Sequence, residues 1–252
     1  MFDMLTRRAY YSSELLNNVR PCLRIVKRKM ASKDEKRPQK DRLYQSFAQI
    51  GQALANPHRL ELIDLLVQAP RTVEELAAET QMSIANTSQH LQRLKQSRLV
   101  GSEREGVHIR YRLADPRIAR LWMELRAVAE AQLDEVQAAL DAYRTQRHAF
   151  ERISAAELRA RLQKGEVFLL DARPQIEYTT GHIPGALSFP LEELAQRLDE
   201  LPVNLPVVAY CRGPYCVIAD QALALLASHG HRTYRLEEGV AEWRQLDNQF
   251  LN

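Results

Sequence analysis

The stretch VVAYCRGPYCVIADQALALL, residues 207–226, decides how the C-terminal half of the chain folds. It opens on a short apolar run, the pattern of a strand buried on both faces. A cluster with Gly213 and Pro214 follows, and then a long segment of helical periodicity. The reading is strand, tight turn, helix. Two of the three cysteines in the chain, Cys211 and Cys216, stand at the two ends of the turn. Three chemistries fit a pair placed this way: zinc, a structural disulfide, or a reactive thiol at the mouth of a helix.

Around this stretch, strands alternate with helices. ISAAELRARLQKG reads as a helix with Ser154 and Glu157 at capping-box spacing, EVFLLDAR as a buried strand ending in Asp171, and HIPGALSFP as a short strand with turns. LEELAQRLDEL is helical, HRTYRLEEG a strand and turn, and VAEWRQL a final helix. The alternation predicts an α/β domain with a parallel sheet covered on both faces. Cys211 then lies at the C-terminal end of a strand, where open α/β sheets place their ligand sites. Inward-pointing N–H groups of such a turn cradle an anion and favour a thiolate, so Cys211 is expected to have a low pKa and to react first. Gly213 allows the tight turn, and Pro214 fixes φ while giving up one donor. Cys216, read as the opening of the helix, is the slower thiol, or a small buried apolar residue. Zinc is not expected, because the two thiols with His182 fall short of four ligands. No metal or other cofactor is assigned.

The segments LLDARPQIEYTTGHIPGALSFPLEEL, VVAYCRGPYC and GHRTYRLEEGVAEW together resemble the rhodanese family over about residues 152–250. Asp171, Ala172, Arg173 and Glu177, then Gly181 to Ala186, match two signatures of that family; Gly239 and Trp243 match a third. The resemblance implies that Cys211 takes a sulfane sulfur as a persulfide and passes it to a thiophilic acceptor. It makes Arg212, Gly213, Pro214 and Tyr215 the active-site loop, with Asp171, Arg173 and His182 in support. The six-residue turn from Cys211 to Cys216 has the length of sulfur-handling members; phosphatase and arsenate-reductase relatives have one residue more. Many bacterial members carry arginine at the sixth position, where Cys216 stands. That departure puts thiosulfate exchange in doubt, leaves Arg212 to supply charge unless it points outward, and suggests that Cys216 resolves the persulfide into an internal bridge.

The N-terminal half has a different period. In DRLYQSFAQIGQALANPHRLELIDLLVQAP, an apolar stripe of Leu54, Leu60, Ile63, Leu65 and Leu66 marks helix, with Pro57 at a start and Pro70 at an end. TVEELAAET carries Thr72 and Glu75 at capping-box spacing, and SIANTSQHLQRLKQSRL starts a further helix at Ser83. VGSEREGVHIRYRL alternates, with Val107, Ile109, Tyr111 and Leu113 on one side and a polar turn at Gly106, and reads as a two-stranded hairpin. Two short helices and a hairpin make a winged helix-turn-helix, whose second helix enters the major groove of duplex DNA. The residues read as facing outward there are Ser83, Asn86, Thr87, Gln89, His90 and Arg93; Arg104, His108 and Arg110 of the wing are placed to reach the flanking backbone or minor groove. Residues 117–148 read as one long helix with Ile118, Leu121, Leu125, Val128, Leu133, Val136 and Leu140 apolar. Such a helix needs a partner along its length, and a homodimer seam supplies one.

The run from Asn56 to Leu113 resembles the ArsR family of small dimeric bacterial repressors, over about residues 41–145. Members release DNA on binding a ligand or metal. One metal site in the family uses a Cys-x-Cys at the first helix of the motif, where RTVEELAAE has no cysteine. Another uses Asp and His pairs on the long helix, which here offers Glu124, Glu130 and Asp134 and no histidine before His148. No metal is therefore expected in this half, and the signal must enter elsewhere.

The chain of 252 residues suits two domains: a helix-rich winged helix-turn-helix over 41–148 and an α/β domain over 152–252, after a basic extension over 1–40. That extension holds eleven Lys or Arg against four Asp or Glu, a net of +7, so the rest carries −4 of the overall +3. It contains Cys22 and reads as a solvated tail or an arm that touches phosphates; Met30 is a second candidate start. No segment has the length and apolarity of a membrane span, and the N-terminus lacks an export pattern, so a reducing cytoplasm is expected. The combined reading is a homodimeric regulator of double-stranded DNA that senses or handles small sulfane-sulfur donors or thiol acceptors. Two alternatives are an active sulfurtransferase tethered to a DNA-binding domain and a rhodanese fold kept as a scaffold for protein partners.

Overall fold

The structure is a computed structural model that describes residues 36–143 and 150–250, the last with side chains to Gln245. Cys22 and most of the basic extension lie outside the described residues. Residues 36–54 are helical (α1), and from Ala53 onward the chain packs as one compact unit.

Three helices and a small sheet come first. Pro57–Gln68 (α2) starts on Pro57, with the Asn56 side chain accepting from the Arg59 N–H. Arg71–Thr72 (β1) leads into Val73–Thr80 (α3), whose Thr72–Glu75 capping box is complete. Gln81 turns the chain in the left-handed region, and Ile84–Gln96 (α4) follows with Ser83 as its cap. Val100–Glu105 (β2) and His108–Leu113 (β3) form the wing. The expected two-stranded hairpin has a third strand, because β1 pairs antiparallel with β3. The expected apolar side of the wing holds only at its base. Tyr111 is buried, but Val107 lies in the turn and, like Ile109, is exposed. Leu62, Ile63, Leu76, Leu91 and Leu94 form the core between the helices.

The single long helix expected over 117–148 is two helices within the described residues, Pro116–Gln132 (α5) and Asp134–Tyr143 (α6). Leu133 between them is extended. Its N–H still closes α5 on the Ala129 carbonyl at 3.0 Å, while its own carbonyl accepts from Val136 at 3.0 Å and opens α6. No proline or glycine marks the break. Asp134 and Glu135 sit in the first turn of α6, where the helix dipole favours acids.

The second part is a five-stranded, all-parallel sheet in the order β4-β8-β7-β5-β6. Its strands are Glu151–Ile153 (β4), Phe168–Asp171 (β5), Leu187–Ser188 (β6), Val207–Tyr210 (β7) and Thr233–Leu236 (β8). β4 was not foreseen, since three residues, two of them charged, make no apolar pattern. The helices are Ala155–Gln163 (α7), Gln175–Thr180 (α8), Leu191–Leu194 (α9), Ile218–Ser228 (α10) and Val240–Phe250 (α11). Central β7 is buried on both faces. Val208 and Tyr210 join Leu158 of α7 and Trp243 of α11, while Val207 and Ala209 join Leu223 and Leu226 of α10. This two-sided burial fixes the C-terminal end of β7, and with it the start of the cysteine turn.

Candidate functional site

Cys211 follows β7 directly, and α10 begins only at Ile218. Cys216 therefore lies two residues before the helix, in the turn, and does not open the helix as its sequence position suggested. Cys211 is 2% exposed, and Cys216 is half-buried. The Cys211 thiol lies 3.4 Å from the Cys216 carbonyl oxygen. Burial alone would raise the Cys211 pKa. The Cys216 thiol, the Arg235 guanidinium and the N–H groups of Ala219 and Gly213 outweigh it and bring the pKa down to about 7. The same contact, with burial added, pushes Cys216 upward. The contact thus shifts the two thiols in opposite directions, Cys211 down and Cys216 up.

The turn is built to a tight tolerance. Gly213 has φ of +117°. A Cβ there would stand 2.9 Å from the Glu242 carboxylate. Gly239 lies against the same turn, and a Cβ on it would meet backbone atoms of Arg212 and Gly213 at 2.6–2.7 Å. Glu242 also accepts from the Gly239 N–H at 3.1 Å. Arg235, the one charged residue of β8, donates to the Cys216 carbonyl at 3.2 Å and pairs with Asp220.

Asp171 and Arg173 form a fully buried, two-pronged ion pair, with the Arg173 guanidinium also donating to the Gly181 carbonyl at 2.9 Å. The Tyr210 hydroxyl donates to Asp171 at 2.6 Å, and burial with the adjacent carboxylate drives its pKa up. These groups brace the strand ends beside the turn. His182 is exposed, with its ring stacked on Tyr178 at 3.9 Å, so its contacts are with α8 and not with the thiols. Arg212 neither points outward nor remains available as charge for an anion. Its guanidinium is bonded to Glu177 and to both carboxylate oxygens of Glu79. The Tyr215 hydroxyl meets Glu130 of α5, and the Arg126 guanidinium lies over the Tyr215 ring at 4.8 Å. A cavity of 270 Å³ opens beside the turn, with Cys216, Arg212, Arg126, Glu61, Asp64 and Glu79 in its wall. Asp64 has its pKa raised by burial, against the indole N–H of Trp122 that donates to it at 2.7 Å.

The sequence did not mark Glu79, Arg71 or Gln68, and it offered Glu130 only as a carboxylate of the long helix with no histidine beside it. They lie more than eighty residues from the groups they meet, and no local pattern announces such pairs. Arg235 did leave a trace, as a lone charge in the strand TYRL.

On the second helix of the helix-turn-helix, Gln89 and Arg93 are exposed, and Asn86 and His90 are half-buried. His90 stands 5.4 Å from the ring of His58, and burial together with that neighbour lowers its pKa. Thr87 is a correction. It is fully buried, with its hydroxyl bonded to the Ser83 carbonyl at 3.0 Å, because it lies on the same face as Leu91 and Leu94. The Ser83 hydroxyl is taken up as the α4 cap. In the wing, Arg104 and His108 are exposed, whereas Arg110 is bonded to Glu105 and the Pro70 carbonyl. Among the described residues, no group of three or more His, Cys, Asp or Glu side chains is placed to hold a metal ion, and no helix is long and apolar enough to cross a membrane.

Residues 56–102 match the bacterial regulatory protein, arsR family, and residues 154–246 match the rhodanese-like domain. The HTH-type transcriptional regulator Rv0324 of Mycobacterium tuberculosis is 44% identical over 203 residues, covering 80% of this chain and 88% of the relative. A sulfurtransferase of Allochromatium vinosum is 36% identical over 93 residues, covering 36% of this chain and 85% of the relative. A solved homodimeric winged helix-turn-helix DNA-binding domain, Mb0332 of Mycobacterium bovis, is 41% identical, covers 38% of this chain and 89% of its own, and superposes with a TM-score of 0.37. A relative this similar along both halves settles the lineage: the chain belongs to the arsR family of bacterial regulatory proteins, in the form that carries a C-terminal rhodanese-like domain.

Proposed function

We propose that this regulator binds duplex DNA as a homodimer and that sulfane sulfur on Cys211 sets its DNA affinity. The observation that carries this is the thiol pair, with Cys211 lowered to about 7 by Cys216 and by the Arg235 charge, at the C-terminal end of a parallel strand. The chemistry balances simply. The Cys211 thiolate attacks the outer sulfur of a donor R–S–SH; the S–S bond breaks, and R–S⁻ leaves with its electron pair. Cys216 then loses its proton and attacks Sγ of Cys211. A Cys211–Cys216 disulfide forms, and hydrosulfide leaves. The two thiols are oxidised, and the sulfane sulfur is reduced to sulfide.

Burial of Cys211 favours this sensing role over turnover with bulky acceptors. Engagement of Arg212 by carboxylates disfavours an anionic donor such as thiosulfate. DNA contact is assigned to Asn86, Gln89, His90 and Arg93, with Arg104 and His108 on the backbone. The dimer is assigned to Leu121, Leu125 and Val128, which recur at helical spacing on α5 and remain 43%, 40% and 59% exposed.

The test is intact-mass spectrometry of the full chain after polysulfide treatment, paired with a titration of DNA from upstream of its own gene. A mass gain or bridge at Cys211 with altered DNA affinity is expected; Cys211→Ser should abolish both. A Cys211→Ser protein that still responds would place the signal elsewhere.

A further inference from the structure

The turn that carries Cys211 faces the winged helix-turn-helix of its own chain. Arg212 donates to Glu79 of α3 at 2.7 and 2.9 Å and to Glu177 at 2.8 Å. Arg71, at the start of the same helix-turn-helix, ion-pairs with Glu177 and stands 3.9 Å from Glu79. With Arg173, which stands 3.9 Å from Glu177 and pairs with Asp171, three guanidinium groups and three carboxylates form one neutral cluster, with Glu177 fully buried and Arg71 nearly so. Gln68 of α2 donates to the Arg212 carbonyl at 3.3 Å and accepts from Arg173 at the same distance. Glu130 of α5 holds Tyr215, at the other end of the turn.

We infer that the winged helix-turn-helix is the lid of the cysteine turn, and that Arg212 is the positioning residue through which the state of Cys211 is felt by α3. The second clause rests on the sulfur reading above; the first does not. Arg212 is bonded in sequence to Cys211, and a two-pronged arginine–carboxylate contact tolerates little displacement. A sulfur atom added to Cys211 lies about 2.05 Å beyond Sγ, on a residue that is only 2% exposed. A bridge to Cys216 instead draws the two ends of the turn together. Either event moves Arg212 against Glu79.

Glu79 is the next-to-last residue of α3, an end where the helix dipole disfavours an acid. Its two arginines offset that. Two residues on, Gln81 makes the left-handed turn into α4, at φ of 55°. Loss of the Arg212 contact therefore unsettles the joint that sets the angle of α4 in the groove.

The experiment uses the full chain and two readouts. The first is alkylation of Cys211 by iodoacetamide, followed by peptide mass spectrometry with no sulfur donor present. Glu79→Ala should raise the rate at least tenfold over the unaltered protein, and Glu79→Gln, which keeps shape and one hydrogen bond, should raise it severalfold. Circular dichroism checks the fold, and if Glu79→Ala unfolds, the Gln variant decides. Rates equal to the unaltered protein would overturn the lid. The second is DNA titration before and after disodium tetrasulfide. Glu79→Ala should take up sulfur on Cys211 yet bind DNA equally in both states, while the unaltered protein changes affinity. A Glu79→Ala protein as responsive as the unaltered one would overturn transmission through Arg212. If the unaltered protein takes up no sulfur at Cys211, the sulfur reading and the transmission clause fail together, and the alkylation rates still decide the lid.

Discussion

The thiol opposite is the largest of the contacts that lower the Cys211 pKa, and this can be tested residue by residue. The Cys211 alkylation rate should rise with pH through about 7 and level off above, because the thiolate is the nucleophile. Cys216→Ala removes the donor, so the midpoint should move up toward the free-thiol value of about 8.5. At pH 7 that shift would cut the thiolate fraction by roughly an order of magnitude. Cys216→Ser keeps a hydroxyl donor and should fall between. Stopped-flow alkylation of the three proteins across pH 5.5–9, in about half-unit steps, measures this; an unmoved midpoint in Cys216→Ala would contradict the assignment. Gly239 gives an independent check. Gly239→Ala puts a methyl group into the backbone of Arg212 and Gly213, with no flexible side chain to yield. A loss of about 1–3 kcal/mol in chemical denaturation is expected, together with altered Cys211 reactivity.

At the scale of elements, the proposed function gives α4 and the wing different parts in DNA contact. Asn86→Ala or Gln89→Ala should cost about 1–3 kcal/mol against the preferred sequence and little against random duplex. Arg104→Ala should weaken both alike and lower the salt slope by about one. Equal losses on both duplexes for Gln89→Ala would show that α4 does not read bases. Much of this arrangement was legible in the sequence, and the reasons are local. The Thr72–Glu75 box, Pro57 at its helix start and the apolar run at β7 each specify their own neighbourhood. Sequence and structure part where a neighbour decides the outcome. Thr87 looks like a groove residue until α4 is rotated by Leu91 and Leu94. The break at Leu133 carries no breaker residue, and β4 takes its shape from pairing with β8. In the same way, the cysteine turn was legible from its own residues, while its contacts with Glu79, Arg71 and Glu130 depend on how α3 and α5 meet it.

The molecule as a whole leaves part of its apolar surface uncovered. Leu121, Leu125 and Val128 fall on one face of α5, and a single charge there should be enough to undo an association that depends on that face. Leu125→Asp is expected to sediment as a monomer and to lose most of its specific DNA binding, since each half-site then binds alone. A Leu125→Asp protein that remains dimeric would move the seam elsewhere. The seclusion of Cys211 has a kinetic consequence as well. A group that reacts only when its cover lifts obeys two regimes. With dilute reagent, the rate is the intrinsic rate scaled by the fraction of open molecules, and it grows in proportion to reagent. With concentrated reagent, every opening is captured, and the rate stops rising at the frequency of opening. The plateau would count the breathing motions of the protein, in events per second, whatever the reagent used.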